Sequence, residues 1–344
     1  MGQFRRDPLT GRWVIINTDE IKSPGDFKID KVAKKGGPCP FCYGSENMTP
    51  PEIMAFRQNA TAPNTPGWSV RVVPNKYPAL RVEGDLAKEG VGMFDKMNGI
   101  GAHEVIIETP DHFREIPDLE YSDVESVVSA YKYRCLDLKK DTRLKYLLLF
   151  KNYGFSAGAS LEHGHTQLIA LPIVPKRVSE ALKGAARYYS YKDRCVFCDM
   201  VSQELEEKER IVLENDIFLA YCPFVSRFPY ETRIIPKRHL SDFASITKEE
   251  IAGFARILKD VMKKIKIVLE DPPYNVVIHT SPIDGHEWAR QDYHWHCDIM
   301  PKLGKVAGFE WGSGFYINPT PPEIAAESLR GGNESKSKKA KRRA

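Results

Sequence analysis

Apolar positions along this 344-residue chain change period twice in the same order. In each half a stretch with helical spacing is followed by a short β-rich run, YLLLF at 146–150 and YNVVIHT at 274–280. A polar loop and a His-x-His strand come next. Capping-box patterns announce both helices, Ser122 with Glu125 and Thr247 with Glu250. In the second helix Ile251, Phe254, Ile257, Leu258, Val261 and Ile265 recur on one face. Strand signals outnumber helical ones and adjoin in sequence, which predicts an α+β fold of mostly antiparallel sheets with flanking helices. The repeated order predicts two related domains, 1–185 and 186–330. The period is too long for a solenoid.

Composition narrows the class. The chain is 42% hydrophobic, enough for real cores, and no run approaches the ~18 apolar residues of a membrane span. The N-terminal MGQFRRDPLTGRW carries no apolar signal segment, so a cytoplasmic protein is expected. The net charge of +4 is local: residues 331–344 hold six Lys and Arg against one Glu, leaving 44 basic and 45 acidic residues elsewhere. Such a tail cannot bury apolar surface and is predicted to be disordered. The nearly neutral body offers no broad basic field, which argues against a nucleic-acid partner.

Four of the seven cysteines form two Cys-x-x-Cys pairs, Cys39 with Cys42 and Cys195 with Cys198. Each pair precedes two histidines, His112 and His163 in the first half and His239 and His294 in the second, separated by 51 and 55 residues. Cys₂His₂ is a common closed tetrahedral set, so two structural zinc sites are expected, with iron compatible in one of them. A thioredoxin-like motif should instead open a helix in a βαβ setting, which neither pair is expected to do. Cys135, Cys222 and Cys297 lack paired spacing and are expected as buried small hydrophobes. His103, His279 and His286 have no motif around them and are expected to be structural or at the surface.

His165 stands two residues beyond His163, on the same face of its strand. An imidazole is a competent nucleophile toward phosphorus when one nitrogen is free and the other hydrogen-bonded. Gly164 is expected to leave room for a phosphate. Upstream, Phe155–Ser160 (FSAGAS), with Gly158, Ala159 and Ser160, has the composition of an anion-binding loop. Gln167 shares the face of His165 and can donate to a phosphoryl oxygen. At the second His-x-His, Trp295 replaces the glycine and Asp298 the glutamine, so His296 is expected to be structural or to line a pocket.

In combination, RRDPLTGRWVI, CPFC, VVPNKYPAL, ETPDH, FKNYG, GASLEHGHTQ and GFEWGSGFYINP resemble the galactose-1-phosphate uridylyltransferase branch of the histidine triad superfamily. The resemblance spans nearly the whole chain. It implies two fused histidine-triad-like domains, a homodimer with sites near the interface, and ping-pong nucleotidyl transfer between hexose 1-phosphates through a nucleotidyl-histidine on His165. It further implies that Ser160 and Gln167 hold the phosphates and that Asn75 and Asn152 contact the nucleoside and phosphate region. Phe309 and Glu310 would approach the sugar. The family usually reads PHPHGQ where this chain has EHGHTQ, an arginine where Glu20 stands, and a glutamine after Glu310 that is missing here. The second quartet is closer to the branch resembling ADP-glucose phosphorylase. The leading expectation is uridylyl transfer between UDP-glucose and galactose 1-phosphate. Adenylyl transfer from ADP-glucose to phosphate is the alternative, and a zinc-stabilised nucleic-acid-binding protein the outside one.

Overall fold

Alternating apolar runs pair antiparallel into one ten-stranded sheet. Its strands are β1 (Met54–Arg57), β2 (Trp68–Pro74), β3 (Ala102–Ile107), β4 (Tyr146–Tyr153), β5 (His165–Leu171), β6 (Ile211–Glu214), β7 (Phe218–Tyr221), β8 (Thr232–Pro236), β9 (Tyr274–His279) and β10 (His296–Pro301). The computed structural model describes residues 2–30, 32, 34–57, 59–283 and 289–331. His286 and residues 332–344 of the expected tail lie outside the described residues.

From one edge the strand order is β1-β2-β3-β5-β4-β9-β10-β8-β7-β6. Read inward from either edge, each half presents its strands as first, second, third, fifth, fourth. The repeat seen in the sequence is therefore a repeat of topology. At the seam, equivalent strands β4 and β9 pair antiparallel, with Asn152 opposite Asn275 and Phe150 opposite Val277. An approximate twofold relates the halves about that seam.

Alternation divides the sheet into two faces. Leu147, Leu149 and Tyr153 of β4 and Leu168 and Ala170 of β5 point into a core shared with α1 (Tyr121–Leu138) and α4 (Lys248–Val268). Cys135, Cys222 and Cys297 are buried in that core, as expected of small hydrophobes. On the opposite face Tyr146, Tyr221 and Tyr293 meet Val178 and Leu182 of α2 (Lys176–Lys192) and Phe197 of α3 (Val196–Glu207).

The capping box of α4 forms as predicted: Glu250 N–H donates to Thr247 Oγ1 at 3.2 Å, and Thr247 N–H to Glu250 Oε2 at 2.7 Å. That of α1 does not. The helix begins two residues earlier than Ser122 implies, with Glu120 as N-cap, because Asp123 accepts from the Glu120 N–H at 3.4 Å. An acidic residue at that position also favours the positive helix end.

A small sheet joins distant segments, where the hairpin Gln3–Arg6 and Trp13–Ile16 is extended by Tyr316–Asn318 running parallel to its second strand. Between the hairpin strands, Leu9 passes directly over α2 at Gly184, where an added Cβ would lie 1.6 Å from the Leu9 carbonyl oxygen. Gly184→Val should therefore displace the N-terminal segment and destabilise the protein by about 1–3 kcal/mol, as for overpacked cores. Urea titration with limited proteolysis of residues 3–16 measures both effects.

Candidate active site and metal centres

Each Cys₂His₂ set predicted from spacing is brought together, its four ligand atoms within 4.8 Å of one another. In the first, Cys42 Sγ lies 3.4 Å from His112 Nδ1 and 3.5 Å from His163 Nδ1, and Cys39 Sγ lies 3.6 Å from His163 Nδ1. Around a tetrahedral ion with Zn–S of about 2.3 Å and Zn–N of about 2.0 Å, a sulfur–nitrogen edge comes to about 3.5 Å. The donor set fits. A tight turn, with Cys42 N–H on the Cys39 carbonyl and Phe41 N–H on Cys39 Sγ, aims both sulfurs inward. His163 gives its Nε2 hydrogen to the Thr109 carbonyl at 2.7 Å, which leaves the Nδ1 lone pair facing the sulfurs.

The second set repeats this logic. His294 Nε2 donates to the Arg238 carbonyl at 2.7 Å, its buried Nδ1 has no hydrogen-bond partner among the described residues, and Cys198 Sγ lies 3.4 Å from His239 Nδ1. A buried nitrogen without a partner is what a ligand position requires. One expectation needs correcting: Cys195 is the N-cap of α3, so this pair does open a helix. The preceding element is α2 rather than a strand, and two histidines complete the set, so the setting differs from a redox motif.

His165 begins β5 on the face away from α1. It is 5% exposed, with the Phe41 ring against it at 5.3 Å. Its Nδ1 hydrogen goes to the carbonyl of His163 at 2.8 Å, leaving Nε2 with the lone pair. Burial lowers the pKa of His165, against the opposing pull of that hydrogen bond, and so favours the neutral ring.

Behind the strand lies a buried ionic chain that motif reading missed. Lys151 Nζ bonds Glu108 and Glu115 at 2.8 Å each, and approaches the His165 carbonyl at 3.4 Å. Lys34 meets Glu115 at 2.8 Å, and Thr166 and Tyr131 bond Glu108 at 2.7 and 3.2 Å. Burial disfavours charge on Lys151, but the two carboxylates outweigh it and keep the ammonium protonated. Gly164 belongs to this chain, since an added Cβ would come within 3.2 Å of the Glu115 carboxylate and the Arg114 carbonyl. The side of Gly164 on which a side chain would stand is thus filled by protein.

Gln167 shares the face of His165, and its Oε1 lies 2.8 Å from His103 Nε2. Asn75 Nδ2 is 3.1 Å from the same nitrogen. His103, expected as a bystander, is therefore part of the site. Its only signal in sequence was a place on a strand that pairs with β5.

The FSAGAS loop turns through left-handed backbone at Gly154 and Gly158. The N–H groups of Ala157, Gly158 and Ala159 donate to carbonyls at Gly154 and Phe155, and Ser160 is exposed beyond them. Asn152 Nδ2 reaches the Gly158 carbonyl at 3.4 Å. Asn275, which the motif search passed over, donates to both Asn152 Oδ1 and the Ala157 carbonyl at 2.7 and 2.8 Å.

The second His-x-His keeps the frame and changes the chemistry. His296 Nδ1 lies 3.1 Å from the His294 carbonyl and Phe197 packs at 5.4 Å, but Asp298 is held bidentately by Arg233 at 2.8 and 3.0 Å. His279 stacks on His296 at 4.8 Å. His279, His296 and Asp298 also converge within 4.8 Å, with the carboxylate already committed to the guanidinium. His296 lines a cavity of about 940 Å³ with Arg12, Arg227 and Asn152 among its walls. Phe309 and Glu310 sit on α5 (Gly308–Ser313), which packs on Tyr316–Asn318 of the small sheet rather than on β5. Glu310 accepts from the Ala307 N–H, and Phe309 is exposed.

Among the described residues no helix is long and apolar enough to cross a membrane. Residues 2–175 match the family described as galactose-1-phosphate uridyl transferase, N-terminal domain, and residues 181–317 its C-terminal domain. The chain is 37% identical to the ADP-glucose phosphorylase of Arabidopsis thaliana, over 95% of this chain and 92% of that protein. It is 32% identical to the galactose-1-phosphate uridylyltransferase of Thermotoga maritima, over 96% and 98% of the respective chains. The crystal structure of the Arabidopsis ADP-glucose phosphorylase with bound ADP-glucose superposes with a TM-score of 0.81 at 36% identity, covering 96% of this chain and 99% of that one. The two-half fold and the sequence agree: the chain is a nucleotidyltransferase that belongs to the galactose-1-phosphate uridylyltransferase family.

Proposed function

We propose that the protein moves a nucleoside monophosphate by a ping-pong route through a covalent nucleotidyl-histidine on His165. The observation that carries this reading is the hydrogen bond from His165 Nδ1–H to the His163 carbonyl, which leaves Nε2 free. Nε2 attacks the α-phosphorus of a nucleotide sugar, and the bond from that phosphorus to the bridging oxygen breaks. The hexose 1-phosphate departs with that electron pair. In the second half-reaction an acceptor phosphate oxygen attacks the same phosphorus and the P–N bond breaks, restoring the imidazole. Gln167 and Ser160 would donate to the phosphoryl oxygens, while Asn152 and Asn75 hold the surrounding loop and turn.

For base and acceptor, adenylyl transfer from ADP-glucose to phosphate moves ahead of uridylyl transfer from UDP-glucose to galactose 1-phosphate. The 37% identity to an ADP-glucose phosphorylase and the assembled second Cys₂His₂ set support this order. Uridylyl transfer is kept as the second reading, on the 32% identity of the Thermotoga enzyme. Intact mass after incubation with each sugar nucleotide decides: an AMP adduct is expected, a UMP adduct alone would reverse the order, and no adduct with either would end the proposal. His165→Gly should abolish labelling.

Zinc is the ion proposed for both sets, holding Cys39, Cys42, His112 and His163 in one and Cys195, Cys198, His239 and His294 in the other. Bound there, the ion crosslinks distant segments and supplies no reacting group. Metal analysis should return two zinc ions per chain. Cys195→Ser should lose one and lower the melting temperature while still labelling at His165, and a labelling loss equal to that of His165→Gly would contradict a purely structural role.

The halves 1–185 and 186–330 are proposed as two histidine-triad-like units of a cytoplasmic homodimer. Since α5 exposes Phe309 and holds Glu310 away from β5, these residues are proposed to serve the site of the second subunit. Light scattering should report a dimer. Mixing His165→Gly with Glu310→Ala subunits should restore part of the turnover that each lacks alone; no complementation would assign Glu310 to its own subunit's site, and full activity of Glu310→Ala alone would place it outside the site.

A further inference from the structure

We infer that His103 is a positioning residue for nucleotidyl transfer, fixing which way round the Gln167 carboxamide is presented; this rests on the reading of His165 and Gln167 given above. The backbone N–H of Ala79 donates to His103 Nδ1 at 3.2 Å. A backbone N–H has no flipped alternative, unlike a side-chain amide. His103 Nδ1 therefore holds the lone pair, and the ring hydrogen of the neutral imidazole sits on Nε2. The acceptor that Nε2–H meets is Gln167 Oε1, at 2.8 Å. Asn75 also lies against the ring: its N–H donates to the His103 carbonyl at 2.8 Å, its Oδ1 accepts from Tyr77 N–H at 2.9 Å, and its Nδ2, a second donor, stands 3.1 Å from Nε2, so Gln167 Oε1 is the acceptor of the two side chains at that nitrogen.

Register makes the contact possible. On paired strands β3 and β5, His103 lies opposite Ile169 and Val105 opposite Gln167. His103 and Gln167 are thus diagonal neighbours on one face, within reach of long side chains. With its oxygen engaged, Gln167 can offer the face of His165 only its NH₂ group, which has no hydrogen-bond partner among the described residues. An unrestrained carboxamide would turn its acceptor oxygen toward a phosphoryl oxygen in one of two orientations and repel it. The His103 hydrogen bond removes that orientation before substrate arrives, which is the preorganisation that transition-state donors require.

The test uses the full-length zinc-loaded protein and the sugar nucleotide that labels it, with single-turnover adduct formation and nucleotide-sugar binding measured separately. His103→Phe keeps a ring and removes the donor. Its labelling rate should fall about 10–100-fold, less than or equal to the loss from deleting an oxyanion donor. Binding should change less than about threefold, since the interaction acts on the transferring phosphoryl group. His103→Gln, which retains an N–H donor, should recover most of the rate and controls for folding. In a Gln167→Ala background, His103→Phe should cost nothing further. Wild-type rates in His103→Phe, or an undiminished effect in the Gln167→Ala background, would overturn the inference alone. A wild-type protein that forms no adduct overturns the parent reading and this one together.

Discussion

His163 makes two commitments, and together they determine where His165 can point. Its Nε2 hydrogen is spent on the Thr109 carbonyl, which turns Nδ1 toward the cysteine turn. Its own carbonyl accepts the Nδ1 hydrogen of His165, which leaves the lone pair on the other imidazole nitrogen. Tautomer, ring orientation and strand position are set by groups that cannot rotate away. The buried Lys151 chain behind β5 serves the same end. Ion pairs this deep add little net stability, because desolvation offsets much of their attraction. They do penalise any arrangement that leaves a partner unpaired, and so hold the strand bearing His165 in one place.

The second half tests what that frame is for. His296 repeats the hydrogen bond to the preceding histidine and the aromatic contact. What differs is the residue two places on. Asp298 is directly opposite Arg233 on β8, whereas Gln167 faces Val105 on β3 and reaches diagonally to His103. A carboxylate clamped by a guanidinium has neither an N–H to give nor a charge a phosphate would welcome. The frame is common to both halves, and the neighbour two residues along distinguishes them.

Both Cys₂His₂ quartets and the fold class were legible in the sequence, because their signals are short spacings repeated in order. Cys39, Cys42, His112 and His163 converge as the repeat implied. His103 was illegible for a physical reason: its partner Gln167 is 64 residues away, and the contact depends on strand register, which no local pattern encodes. Asn275 was hidden in the same way by the seam between halves. That Glu115 stands beside Gly164 was hidden too, since only the folded chain brings the two together. The start of α1 was misplaced because Glu120 and Asp123 offered an equivalent cap two residues earlier than Ser122.

The reach of Asn275 across the seam alters what kind of repeat this is. Asn152 stands opposite it in the ladder, yet the two are not interchangeable: Asn275 spends both its hydrogens on the first half, on Asn152 Oδ1 and the Ala157 carbonyl. The half with the clamped carboxylate thereby acts as a brace for the half that carries His165. Two units that share a topology are thereby tied together across the seam. Cutting between them would leave β4 paired only with β5 and β9 only with β10, and would remove the Asn275 contact to the loop that carries Ser160. A chain that looks divisible on paper is, at its chemical centre, a single working part.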